Sequence, residues 1–222
     1  MLAQSCAAWL AEAMTHAITR RGICAVALAG GSSPGPVYQA LALPPLWGAV
    51  DWMRVHAYFG DERAVPPDDR ESNYRMVCDT LLCRVPIPHT QVHRMEAERP
   101  DLDAAAAEYA ALLPATLDIL LLGMGPDGHT ASLFPGSAAL AELRRRVVPV
   151  IGPKPPPRRL TITPPVIEAA REIAVIATGA GKAAMVAAAR EGGAEPGEVP
   201  ARLARRGVWF LDPAAASRLE RS

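Results

Sequence analysis

The chain has 222 residues, half of them hydrophobic, and its 23 Lys and Arg balance its 23 Asp and Glu. That length suits one α/β domain spanning 1–222 with a sizeable core. Zero net charge and an aromatic content of 5% exclude the broad basic, base-stacking surface of a nucleic-acid binder, while leaving room for a local pocket that takes a small anion.

No apolar run approaches the ~20 residues of a membrane span. The segment 3–20 carries Glu12 and His16 inside an apolar pattern without a basic leader, so it reads as an amphipathic helix, ended by Gly22, and not as a secretory signal. Cys6, Cys24, Cys78 and Cys83 have no metal-ligand spacing, and most of them read as buried small hydrophobes of a chain in a reducing cytoplasm. Residues 23–29 form an apolar run of strand length, followed by Gly30-Gly31-Ser32-Ser33-Pro34. Strand, glycine turn, hydroxyls and a helix start at proline make a layout that holds an anion on backbone N–H groups; the same composition also serves an ordinary turn.

Val55–Phe59 reads as a second strand that runs into Gly60-Asp61-Glu62-Arg63, a charged loop in the kind of position where site residues gather. After a proline-rich loop over 64–70, Ser72 or Asn73 caps a helix reaching about Cys83. Residues 91–95 read as a short strand. His89 and His93 are four apart, but Pro86 and Pro88 break the helix that would align them for a metal. Asp101 caps an alanine-rich helix ending near Leu113.

The most informative stretch is the apolar run 117–122, a strand buried on both faces, which stops at Gly123-Met124-Gly125-Pro126-Asp127-Gly128-His129-Thr130-Ala131-Ser132. Polar chemistry just past the carboxyl end of such a strand lies where open α/β sheets bind ligands. An imidazole has an intrinsic pKa near ~6.5 and is a natural general base, which makes His129 the candidate. Asp127 is the candidate either to orient it or to support the turn, and the N–H groups of Gly123 to Gly128 are candidate donors to an oxyanion. Further on, 147–151 is interrupted by Pro149 and reads as an edge strand. Residues 154–159 are basic and extended, 160–163 continue as strand, and Pro164-Pro165 open a helix to Ala170. A buried strand over 172–178 ends in Gly179-Ala180-Gly181-Lys182, where Lys182 is placed to meet a phosphate without the full spacing of a nucleotide-binding loop. An alanine-rich helix, a flexible loop over 192–197 and a last strand over 208–211 complete the chain. Strands alternating with helices throughout imply a mostly parallel sheet with helices on both faces.

The strings 29–34, 60–63 with Ser72-Asn73, 123–135, 154–163 and 179–182, in this order across nearly the whole chain, resemble the 6-phosphogluconolactonase family. The resemblance implies a Rossmann-like, glucosamine-6-phosphate deaminase-like fold and hydrolysis of 6-phospho-D-glucono-1,5-lactone in the pentose phosphate pathway. It implies His129 as general base with Asp127 beside it, and substrate or phosphate contacts from Gly30, Gly31, Ser32, Asp61, Arg63, Arg159 and Lys182, with Arg158 an alternative to Arg159. The implied partner is a phosphorylated sugar lactone, with no metal or organic cofactor, nucleic acid or membrane. Asp61 matches a proton-transferring position of the deaminase relatives; in a lactonase, hydrogen bonding to sugar hydroxyls is an alternative role. Where those deaminases carry an acid after Asp-Gly-His, this chain has Ala131-Ser132-Leu133-Phe134-Pro135, which favours a lactonase over a sugar-phosphate deaminase or isomerase. A non-catalytic sugar-phosphate sensor would not require His129.

Overall fold

In the computed structural model, which describes residues 1–220, the apolar runs become strands. They are β1 (Cys24–Leu28), β2 (Val55–Phe59), β3 (Asp61–Arg63), β4 (Ile119–Gly123), β5 (Val147–Ile151), β6 (Arg158–Ile162), β7 (Glu172–Ala177) and β8 (Val208–Leu211). The α-helices are α1 (Leu2–Arg21), α2 (Gly35–Leu41), α3 (Leu46–Ala49), α4 (Asn73–Val77), α5 (Leu102–Leu112), α6 (Pro164–Ala169) and α7 (Ala183–Arg190). Among the described residues no helix is long and apolar enough to cross a membrane.

Five strands form an all-parallel sheet in the order β2-β1-β4-β7-β8, flanked by helices. The chain steps from β1 outward to β2, then returns past β1 to β4 and continues through β7 to β8. Its winding therefore reverses between β1 and β4, which opens a crevice at their carboxyl ends. Every residue of β1 and the first four of β4 are buried, as strands covered on both faces require. At the opposite end of β4 the buried carboxylate of Asp118 accepts from the Ala25 N–H (2.8 Å) and pairs with Arg21 (2.6 Å) and Arg171 (3.5 Å). That one side chain ties the end of α1 to the starts of β1 and β4.

The second sheet, antiparallel β3-β6-β5, is absent from the sequence reading. Asp61-Glu62-Arg63 is a strand and not a charged loop, because β6 supplies a partner register of Asp61 to Thr161, Glu62 to Leu160 and Arg63 to Arg159. Alternation along β3 turns Asp61 and Arg63 to one face and Glu62 to the other. Residues 91–95 form no strand; they make a single bridge, Val92 to Ala57, beside a His93 N–H donated to the Ala57 carbonyl (2.8 Å). The helix expected to run to Cys83 is α4 followed by a π-helical turn over Cys78–Leu82. Ser72 is its cap, accepting from the Arg75 N–H (3.2 Å), and Asp101 caps α5 through the Ala104 N–H (2.9 Å).

Candidate active site

The crevice between β1 and β4 holds a cavity of about 280 Å³, close to the lower size of small-ligand sites. Of the residues singled out from the sequence, Gly30, Gly31 and Ser32 line it from the turn after β1, and Asp61 and Arg63 from β3. His129 lines it from the loop after β4, Arg159 from β6, and Lys182 from the 3-10 turn before α7. Asp127 does not line the cavity. It stands behind His129, with its Oδ1 2.5 Å from the imidazole Nδ1.

That hydrogen bond sets the tautomer: Nδ1 carries the proton and donates to Asp127, which leaves the Nε2 lone pair free. Burial raises the Asp127 carboxyl pKa, but the neighbouring His129 charge and its hydrogen bonds outweigh burial and hold it below the ordinary value. Gly125 makes room for the pair. A Cβ there would lie 2.1 Å from His129 Cε1 and 2.5 Å from Asp127 Oδ1, so the glycine is required by close approach and not by its backbone angles. Ala131, just past the imidazole, has φ 48, a left-handed conformation that costs a non-glycine residue about 1–3 kcal/mol. Its neighbours hold it there. The Thr130 hydroxyl donates to the Gly123 carbonyl (2.8 Å), and Ser132 donates its N–H to Thr161 Oγ1 (3.1 Å) and its hydroxyl to Asp61 Oδ2 (2.6 Å). The His129 loop is thus pinned to the ends of both sheets. The N–H groups of Gly125 and Gly128 bond within the loop, to the carbonyls of His129 and Gly125, and do not serve as oxyanion donors.

Positive charge gathers on the other walls. In the β3–β6 register Arg63 stands opposite Arg159, a like-charge cross-strand pair that the nearby carboxylates of Asp61, Glu71 and Glu62 partly offset. Burial lowers the Arg159 pKa, and the Arg63 charge adds to that. Arg63 Nε is buried with no hydrogen-bond partner, while its Nη1 donates to the Glu71 carbonyl (2.6 Å). The alternation of β6 sends the two candidate arginines to opposite faces. Arg159 is 6% exposed and faces the cavity, whereas Arg158 faces outward and reaches the Pro100 carbonyl (3.4 Å). Lys182 Nζ lies 3.5 Å from Ser33 Oγ, which shares a hydrogen bond with Thr178 (2.9 Å). Burial holds this ammonium below the usual lysine range, against the attraction of Asp212.

Sequence reasoning missed Asn73, Glu62 and Ser33. Asn73, which the sequence offers only as a helix cap, lines the cavity and donates its amide to Asp61 Oδ1 (3.2 Å) and to the Asp61 carbonyl (2.9 Å). Its Oδ1 lies where a Gly30 Cβ would be, 1.8 Å away, so Gly30 and Asn73 are a matched pair. Glu62, on the outward face of β3, accepts from the N–H groups of Arg63, Asn73 and Tyr74 and from the Ser72 hydroxyl. Burial pushes its pKa up against those three backbone donors, and the bonds dock the start of α4 on the cavity. Among the described residues no cluster of three or more His, Cys, Asp and Glu could hold a metal ion.

Residues 1–210 match the family model described as glucosamine-6-phosphate isomerases/6-phosphogluconolactonase. The chain is similar to a 6-phosphogluconolactonase of Streptomyces coelicolor, 41% identical over 100% of this chain and 92% of the relative. It is similar in structure to the 6-phosphogluconolactonase of Trypanosoma brucei, with a TM-score of 0.83 and 31% identity over 98% of this chain and 96% of the other. A monomeric glucosamine-6-phosphate deaminase shares the fold, with a TM-score of 0.84 at 22% identity over 98% of this chain and 95% of the other. The chain therefore belongs to the glucosamine-6-phosphate isomerase/6-phosphogluconolactonase family.

Proposed function

We propose that the chain hydrolyses 6-phospho-D-glucono-1,5-lactone to 6-phospho-D-gluconate, the lactone-opening step of the pentose phosphate pathway, with His129 as general base. The observation that carries this reading is one cavity walled both by the Asp127-oriented imidazole of His129 and by the cations Arg63, Arg159 and Lys182. A phosphorylated ester needs both: a base at C1 and a dianion anchor at the far end of the sugar.

Water attacks C1 as Nε2 of His129 takes its proton, and Asp127 stabilises the imidazolium that forms. The tetrahedral oxyanion then collapses, breaking the bond from C1 to the ring oxygen, and His129 returns the proton to that oxygen. The product carboxylic acid ionises, so each turnover releases one proton. Arg63 and Arg159 bind the phosphate by charge-assisted N–H bonds, and Lys182 adds a point charge beside the Gly30-Gly31-Ser32 turn. Asp61 has both carboxylate oxygens held, by Ser132 and Asn73, which suits it to accept a sugar hydroxyl in a fixed direction. The deaminase alternative is disfavoured by Leu133 and Phe134, both buried, in the stretch where those relatives carry an acid.

The test is continuous proton release from the phospholactone, corrected for spontaneous opening, beside the unphosphorylated lactone. Catalysed release that strongly favours the phosphorylated substrate is expected. Equal rates on the two would exclude the phosphate anchor, and no catalysed release would exclude the activity.

A further inference from the structure

We infer that Phe134 is a positioning residue that links the phosphate-binding guanidinium of Arg159 to the imidazole of His129, so that capture of the phosphate sets the orientation of the base. The inference rests on the lactonase reading above and adds to it how the two ends of the site communicate.

The Phe134 ring lies behind the cavity wall, 5% exposed. Its centroid is 4.8 Å from that of the His129 ring at a tilt of 43°, and 5.5 Å from the guanidinium carbon of Arg159. One ring therefore touches both the base and the anion-binding cation. Asp127 holds the imidazole itself through Nδ1, beside a longer bond from the His129 backbone N–H (3.4 Å); the tilted ring of Phe134 restricts its swing about the Nδ1 bond. The Cε2–Cζ edge of the ring is backed by Gly152, where a Cβ would lie 2.7 Å and 2.8 Å from those two atoms and 3.4 Å from Arg159 Nε. Gly152 belongs to the turn between β5 and β6, and its N–H donates to the Pro157 carbonyl (2.7 Å). The same turn receives Arg159, whose Nε donates to the Pro156 carbonyl (3.0 Å) and Nη2 to the Lys154 carbonyl (3.3 Å). Turn, guanidinium, ring and imidazole form one close-packed row, and such packing transmits a displacement without absorbing it. When a phosphate dianion draws in the Arg159 guanidinium, the ring stacked on it must follow, and so must the base. Remote binding energy is then expressed in kcat and not only in KM.

The experiment measures kcat and KM of the full chain and of Phe134→Leu, Gly152→Ala and the double variant, each on the phosphorylated and the unphosphorylated lactone, with circular dichroism as the check of fold. In the wild type, kcat should favour the phosphorylated lactone. In Phe134→Leu, kcat on that substrate should fall by about tenfold or more, in line with a base misplaced by a fraction of an ångström, while KM changes little. The kcat preference for the phosphorylated lactone should shrink in the same variant. Gly152→Ala overlaps the ring edge while meeting Arg159 Nε only at contact distance, and should reproduce both effects if Phe134→Leu folds poorly. It should lose most of its effect in the Phe134→Leu background, where the smaller side chain leaves room, a non-additivity expected of residues in contact. The inference is overturned if both single variants keep the wild-type kcat preference, or if Gly152→Ala costs the same factor in both backgrounds. A wild type that does not open the phospholactone overturns the underlying activity. An active wild type, an inactive His129→Asn and unaffected Phe134 and Gly152 variants overturn the coupling alone.

Discussion

Gly125→Ala probes the base assignment without altering either partner of the His129–Asp127 pair. The new methyl would stand 2.1 Å from His129 Cε1 and 2.2 Å from Nδ1. Carbon contacts settle near ~3.5 Å, so the imidazole must retreat by about 1.4 Å or the loop must open by as much. The atoms in the way belong to side chains and not to backbone, so the fold should survive, with a melting temperature lowered by the displaced and tightly packed ring. Activity should not survive, because a misplacement of about 1 Å costs around 10²-fold. Complete loss of positioned proton transfer would bring the deficit to about 10⁴-fold. Proton release from the phospholactone gives kcat, and circular dichroism melting gives stability. A folded Gly125→Ala enzyme with wild-type kcat would refute the placement of the imidazole as base. An unfolded variant would refute the claim that only side chains stand in the way.

Arg63→Ala removes one charge-assisted phosphate contact and should lower kcat/KM on the phospholactone by about tenfold to hundredfold while sparing the unphosphorylated lactone, as steady-state rates on both will show. As the proposed phosphate ligand Lys182 would act only as an ammonium, and burial depresses its pKa. Affinity for the product 6-phosphogluconate, followed by calorimetry against pH, should therefore fall on the alkaline side before the ordinary lysine range near ~10.4; Lys182→Arg should abolish that decline. Asp118→Ala strips Arg21 and the Ala25 N–H of their buried acceptor at the end of the sheet away from the cavity. It should cost about 2–3 kcal/mol in a denaturant melt and leave kcat at the wild-type value.

The parallel sheet was legible because its strands are short apolar runs, all but the last followed closely by a glycine, and His129 because its loop follows the most hydrophobic of them. The antiparallel sheet was not. Asp61-Glu62-Arg63 has no apolar pattern, and it is a strand only because β6, about a hundred residues away in the chain, pairs with it. The choice between Arg158 and Arg159 turned on the same register, since the face of a strand is set by pairing and adjacent arginines look alike in sequence. Asn73 was hidden by its neighbour: Ser and Asn both suit a helix cap, and only the structure gives the cap to Ser72 and the cavity to Asn73. Asp118 read as the start of a strand, because nothing local signals that Arg21 and Arg171 will meet it. The charged residues are thus harder to read than the apolar ones. Apolar periodicity is local, whereas each ion pair or hydrogen bond depends on a distant partner.

Whether His129 is the base is decided by kcat of His129→Asn on 6-phospho-D-glucono-1,5-lactone, with affinity for 6-phosphogluconate measured alongside. Loss of the base should lower kcat by about 10²–10⁴-fold, while product affinity, held by Arg63, Arg159 and Lys182, stays near wild type. A His129→Asn enzyme that opens the lactone at the wild-type rate would contradict the account.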